Sequence, residues 1–283
     1  MMSLNTDLVP LSDAEFRYIA GMLYDTFGIY LSEQKRILVA GRLSKRLRQL
    51  GIASFTRYFE YLLADKTGVE LSELINRITT NHSFFFRERE HFDFLVKTVL
   101  PELEAKIKQT ARYPLRIWSA GCATGEEVYS ISMLLREYYG NRIDALDYGL
   151  FASDISLAAL EEAGRGNYSE TKLRELPAAF QKAYFVKTGE DVYTISGDIK
   201  KMVLFKRLNL MADSFPLKGQ FDAVFCRNVM IYFDQESRKK AVQTLYNYVK
   251  PGGYFFIGHS ESLRREDCPF TYIKPAVYRK GEL

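Results

Sequence analysis

Apolar residues recur at three- and four-residue spacing through the first 80 positions, the period of helices that each bury one face. Ser12 opens one run with Glu15 three residues later, a capping-box pattern, while Ser32 and Ser72 precede two others. Within the segment 34–51, QKRILVAGRLSKRLRQLG, Val39, Leu43, Leu47 and Leu50 share one stripe, and Lys35, Arg42, Lys45 and Arg46 fall on another. One face is expected to pack and the other to be cationic.

From about residue 115 the pattern changes to short β-rich runs alternating with longer helical ones, the sequence form of an α/β domain with a mainly parallel sheet. The predicted strands are 115–120, 148–153, 202–207, 221–226 and 254–258, with closing edge strands within 270–279. Predicted helices include 126–139 and 235–249, the second stopped by Pro251-Gly252-Gly253. The stretch from about 169 to 201 breaks the alternation: a helix-like part is followed by YFVKTGEDVYTISG, which reads as an inserted antiparallel hairpin. The expected division is a helical unit over 1–80 and an α/β unit over 81–283 that carries the insert.

Composition narrows the class. A chain of 283 residues, 47% hydrophobic and 26% charged, can bury a sizeable core and has no disordered or repetitive tract. The N-terminus lacks a basic-then-apolar leader and no apolar run approaches a membrane span, so a cytoplasmic location without membrane insertion is expected. Cys122, Cys226 and Cys268 have no paired spacing. His82, His91 and His259 lie far apart along the chain, which gives metal catalysis little support. The net charge of +4 would suit weak attraction to nucleic acid, to anionic membrane or to an acidic protein, and its distribution is more telling. Segment 34–51 holds six basic residues and no acidic one, whereas the rest of the first 80 carries four basic and nine acidic.

Three segments carry the candidate chemistry. The strand LRIWSA enters the loop GCATGEE and then a helix, an arrangement that holds a ligand against a helix N-terminus. Gly121 and Gly125 are present but Ala123 takes the middle place of G-x-G-x-x-G, which favours a smaller, less anionic cofactor over a dinucleotide. An ordinary strand-to-helix turn would have the same glycines. The next strand ends at Asp154, where a carboxylate can accept both ribose hydroxyls of an adenosine-containing ligand; a solvated strand-end acid is the alternative. The strand FDAVFC then places Arg227 and Asn228 at its C-terminal end, where ligands bind in open α/β sheets, although Arg227 could instead serve a structural ion pair.

Read together with TNHSFFFRE at 80–88, the segments KRLRQLG, SAGCATGEEVYS, ASDIS, RLNL, CRNVMIYF and KPGGYFFIGHSESL resemble, in order, the CheR family of chemoreceptor glutamate methyltransferases. The resemblance spans nearly the whole chain. It implies a Rossmann-like S-adenosylmethionine-dependent methyltransferase domain, a small all-helical N-terminal domain and an inserted antiparallel β-subdomain. It further implies cofactor contacts from Asn81, Ser83 (where the family often has Thr), Arg87, Glu126, Asp154, Asn209, Leu210, Cys226 and Arg227, with Gly121 and Asn228 beside them. Glu127 is adjacent to Glu126 and could be the true contact.

The implied reaction transfers the cofactor's methyl group to glutamate carboxylates of methyl-accepting chemotaxis receptors, leaving S-adenosylhomocysteine. A glutamate with a pKa of about 4.3 is already ionised and needs no general base. Arg227 and Tyr232 are expected to orient the acceptor, and Arg87 to help bind cofactor or substrate. The cytoplasmic part of a chemoreceptor is the expected partner, met by the basic helix through Lys35, Arg42, Lys45 and Arg46. An RNA or small-molecule methyltransferase is a weaker reading, because the basic residues lack interleaved aromatics. A non-catalytic module that keeps the fold is the other. Tether-binding family members carry a longer, glycine-richer turn than Lys187-Thr188-Gly189-Glu190-Asp191, so recognition independent of a receptor pentapeptide tether is expected.

Overall fold

The computed structural model describes residues 8–79, 83–110 and 113–282. Four helices open the chain: α1 (Asp13–Phe27), α2 (Arg36–Leu50), α3 (Phe55–Ala64) and α4 (Val69–Ile78). The expected capping box holds α1, with the Ser12 hydroxyl accepting from Glu15 N–H and Glu15 reaching back to Ser12 N–H. Ser72 behaves differently from its expected role. It lies inside α4, where its hydroxyl donates to the Gly68 carbonyl, and the helix start is held by Asp65, which accepts from Glu70 N–H. Phe16, Leu23, Val39, Leu43, Leu47, Phe55 and Leu74 form one buried core.

Helix α5 (Arg89–Phe94) continues through a π-helical turn, Leu95–Val99, into α6 (Leu100–Gln109). The α/β part follows as β1 (Leu115–Ala120), α7 (Glu126–Tyr139), β2 (Tyr148–Asp154) and α8 (Leu157–Arg165). The insert comprises β3 (Asn167–Tyr168), α9 (Glu170–Leu173), α10 (Ala178–Tyr184), β4 (Phe185–Gly189) and β5 (Val192–Ile195). The chain closes with α11 (Gly197–Lys201), β6 (Val203–Arg207), β7 (Phe221–Cys226), α12 (Gln235–Tyr248), β8 (Val249–Ile257), β9 (Thr271–Lys274) and β10 (Val277–Arg279).

The large sheet has seven strands in the order β6-β2-β1-β7-β8-β10-β9; β6 through β8 run parallel, β10 pairs antiparallel to β8 and β9 antiparallel to β10. The chain winds outward from β1 through β2 to β6, then returns to β7 on the other side of β1. The topological switch therefore lies between β1 and β7, where the C-terminal strand ends open a crevice. The expected hairpin pairs as β4 with β5, and the short β3 adds a third strand in the order β3-β5-β4.

One prediction is corrected at Pro251-Gly252-Gly253. Helix α12 already ends at Tyr248, and the three residues lie within β8, where its register with β7 shifts. A Cβ on Gly253 would stand 2.9 Å from the Lys250 carbonyl and 3.0 Å from that of Asp222, so the glycine serves close strand contact rather than a helix stop.

The helical unit docks on the mouth of the crevice. Ile29 bridges to Phe233, Tyr30 N–H donates to the Tyr232 carbonyl at 2.8 Å, and the Asn209 amide donates to the Thr26 carbonyl at 2.7 Å. Gly28 at φ 67° turns the chain there, and a Cβ on it would lie 2.4 Å from Met211 Sδ.

Candidate cofactor and acceptor site

A cavity of about 360 Å³ opens at the C-terminal ends of β1, β2 and β7. Gly121, Cys122 and Ala123 form its floor, Asp154 and Ile155 one side, Arg227 to Val229 the other, and Ser83, Phe84 and Arg87 a third wall. Phe27, Ile29 and Thr79 of the helical unit complete it. Among described non-glycine residues, positive φ occurs at Phe86, Glu88, Ala123, Asn228 and Ala276; the first four lie in loops around this cavity. Such backbone persists only where its surroundings hold it.

Asp154 is nearly buried at the end of β2. Its Oδ2 accepts from Ala123 N–H and its Oδ1 from Ser156 N–H, both at 2.9 Å. Burial pushes its pKa up against those backbone donors. The carboxylate is thus fixed between the glycine loop and the next helix, facing the cavity, as ribose recognition requires.

The two glutamates that begin α7 separate. Glu126 is fully buried and does not line the cavity: its carboxylate accepts from Thr124 Oγ1 at 2.8 Å and from Lys172 Nζ at 2.5 Å. Glu127 lines the cavity instead. Its Oε1 accepts from Ser119 Oγ at 2.6 Å and its Oε2 from Arg227 Nη1 at 2.9 Å. Burial raises the Glu127 pKa, with Arg227 and the Ser119 hydroxyl acting against it. One residue along a helix rotates a side chain by about 100°, so Glu127 reaches the cavity and Glu126 does not.

Arg227 is held on several sides. Its Nη2 donates to the Arg87 carbonyl and to Glu88 Oε2 at 3.0 Å, and the guanidinium lies 5.4 Å from the centre of the Phe92 ring. Glu88 also accepts from Asn228 Nδ2 at 3.2 Å and His259 N–H at 3.1 Å. Burial pushes the Glu88 carboxyl up, but Arg227 and these donors outweigh it and hold it below the ordinary range. Glu261 fixes the following loop, accepting from Asn228 N–H at 2.9 Å, Gly258 N–H at 2.5 Å and Ile231 N–H at 3.2 Å. Nothing in the residue types alone singled out Glu88 or Glu261.

The remaining predicted residues divide. Gly121, Ser83, Arg87, Asn209, Leu210, Asn228 and Tyr232 line the cavity. The Asn209 side chain is engaged by Thr26 and by Met211 N–H, so its amide joins the two units at the cavity edge. Cys226 points into the core and is fully buried, while Cys122 reaches the cavity; the last residue of β7 faces the sheet interior. Asn81 lies outside the described residues. Histidines 91 and 259, distant in sequence, meet with ring centres 4.7 Å apart, and with Glu88 they bring three possible metal-ligand atoms within 4.8 Å of one another. The Arg227 guanidinium already occupies the carboxylate they would share.

On the basic helix, Arg46 forms a two-point ion pair with buried Glu70, at 2.5 and 3.1 Å, and Tyr58 donates to the same carboxylate at 2.8 Å. Arg42 reaches the Ile78 carbonyl. Two of the four cations expected on the outer face therefore tie α2 to α4. Lys45 remains exposed, on the same stripe as exposed Leu38.

The profile described as "CheR methyltransferase, SAM binding domain" matches residues 81–278, and "CheR methyltransferase, all-alpha domain" matches 14–79. The chain belongs to the CheR methyltransferase family. It is 41% identical over 273 residues to the chemotaxis protein methyltransferase of Borreliella burgdorferi, covering 96% of each chain. With that of Escherichia coli it shares 37% identity, covering 96% of this chain and 93% of the relative. With that of Salmonella typhimurium it shares 38%, covering 96% and 92%. The cofactor of this CheR protein is S-adenosylmethionine, and the cavity suits it: a fixed acid for a ribose, a second carboxylate in Glu127 and an apolar wall for a flat base. Among the described residues, no helix is long and apolar enough to cross a membrane.

Proposed function

We propose that this methyltransferase esterifies glutamate side chains of a chemoreceptor's cytoplasmic region. The observation that carries the reading is the state of the acids in the cavity. Both Asp154 and Glu127 are engaged by fixed donors, and among the described residues no histidine lines it. A lysine amine, protonated at neutral pH, or a hydroxyl would require a base to lose its proton; a glutamate carboxylate with a pKa of about 4.3 arrives as a nucleophile.

S-adenosylmethionine, when bound, would supply an electrophilic sulfonium methyl to the acceptor carboxylate oxygen and leave as S-adenosylhomocysteine, its sulfur keeping the electron pair of the broken bond. In this reading Asp154 binds the ribose and Glu127, held by Arg227, the polar end of the cofactor. The backbone at Asn209 and Leu210 borders the base. Arg87 and Tyr232 orient the acceptor, while Phe84, Ile29 and Phe233 exclude water. Positioning and charge provide most of the acceleration.

Receptor recognition is assigned to the outer stripe of α2, where Lys45 and Leu38 offer a cation beside an apolar contact, with Lys35 at its start. The β4–β5 turn contributes no tether site in this account. Incubation with receptor and methyl-labelled cofactor tests the function: the label must transfer to receptor and be released as methanol by mild alkali. Alkali-stable label would point to an amine or an ether instead.

A further inference from the structure

The wall of the cofactor cavity formed by Ser83 to Arg87 is held by the inserted subdomain as well as by the sheet. We propose that Lys172 in α9 is a positioning residue for the cofactor site, and that the insert and the cofactor cavity are thermodynamically coupled through it. Lys172 Nζ donates to the Ser83 carbonyl at 2.6 Å and to Glu126 Oε1 at 2.5 Å. Ser83 lines the cavity, and Glu126 is the fully buried first residue of α7, bonded in turn to Thr124 of the glycine loop. One ammonium group therefore joins the two loops on either side of the cofactor cavity.

Two further contacts run between the same parts. The Tyr168 hydroxyl in β3 donates to the Thr124 carbonyl at 2.8 Å. Phe85, in the middle of the wall, is fully buried against Tyr168 and Phe185, with ring centres 4.9 and 5.4 Å away. Both rings belong to the insert's own three-stranded sheet. A displacement of the insert consequently moves Ser83 and Thr124 together, and a ligand that fixes those loops fixes the insert. Coupling of this kind is reciprocal.

The inference uses the cofactor assignment but not the identity of the methyl acceptor. Calorimetric titration with S-adenosylhomocysteine tests it on four forms of the full chain: wild type, Lys172→Met, Lys172→Arg and Glu126→Gln/Lys172→Met. Lys172→Met should weaken binding about fivefold or more, and Lys172→Arg should restore most of it. The double variant removes the uncompensated buried carboxylate, so it should recover thermal stability without recovering affinity. Amide exchange adds a second readout: ligand should slow exchange in β3 and β5 of wild type and not of the double variant. Wild-type affinity in Lys172→Met, or affinity restored in the double variant, would show that Lys172 only neutralises Glu126 and would overturn the proposal. Failure of wild type to bind would instead strike the cofactor assignment.

Discussion

Glu127 at the start of α7 and Arg227 just past β7 meet with Oε2 2.9 Å from Nη1, across the switch point of the sheet. The pair joins the glycine loop to the acceptor-side loop, and Glu88 holds the far side of the guanidinium. Glu127→Ala should therefore weaken S-adenosylhomocysteine by about 1 to 3 kcal/mol, through a lost ligand contact and an unpaired partner. Asp154→Ala should do the same by leaving ribose hydroxyls unmatched. Calorimetry on folded variants checks both, and unchanged affinity would remove that residue from the site.

Tyr232 sits where the helical unit meets the cavity, its carbonyl already bonded to Tyr30 N–H. Tyr232→Phe keeps the ring and this backbone contact and loses only the hydroxyl. Turnover on receptor should fall about 10-fold while cofactor affinity stays. An unchanged turnover number would assign the orientation of the acceptor to other groups.

The charges of α2 should separate by experiment. Arg46→Glu places two carboxylates together in a buried site and should cost about 3 to 5 kcal/mol of stability, read in urea unfolding. Lys45→Glu should leave stability and cofactor binding alone, raise the apparent KM for receptor and reduce its salt dependence. A receptor KM indifferent to Lys45 and to salt would make this stripe a solvated face. Receptors lacking a pentapeptide tether should be methylated equally well.

Acid stability should report His91, which is fully buried with neither ring nitrogen hydrogen-bonded among the described residues, although Glu88 Oε2 lies 3.5 Å from its Nδ1. Burial, with Arg227 nearby, pushes its pKa from 6.5 down to about 3. The unfolded chain therefore binds a proton there between those values that the folded chain does not. The stabilising contribution is complete above pH 6.5 and is lost as the pH falls toward 3. His91→Phe should flatten the slope of unfolding free energy against pH in this window by up to one proton. An unchanged slope would show that the ring is charged in the fold.

The strands that build the crevice were legible because each is a short apolar run ended by chemistry-bearing residues, as in LRIWSA-GCATGEE and FDAVFC-RN. Asp154 and Arg227 could be located for the same reason, since strand ends in this topology point at the ligand. The choice between Glu126 and Glu127 could not be read, because adjacent helical residues differ only in rotation and the decisive partner, Lys172, comes from the insert. Arg46 looked like a surface cation until Glu70, 24 positions away, was seen buried beneath it. Glu88, Glu261 and the meeting of His91 with His259 are likewise products of long-range packing. The run Pro251-Gly252-Gly253 misled because glycines that end helices also permit close strand contact.

Mass spectrometry of receptor peptides after incubation with S-adenosylmethionine tests the transfer to glutamate. A gain of about 14 Da, one methylene, is expected on glutamate side chains of the cytoplasmic helices. The gain should be lost with mild alkali and absent when Arg227→Ala replaces wild type, since that variant leaves Glu127 in the cavity and Glu88 beside it without their shared cation. Methylation confined to lysine, to another residue type or to nucleic acid in the same incubation would contradict it.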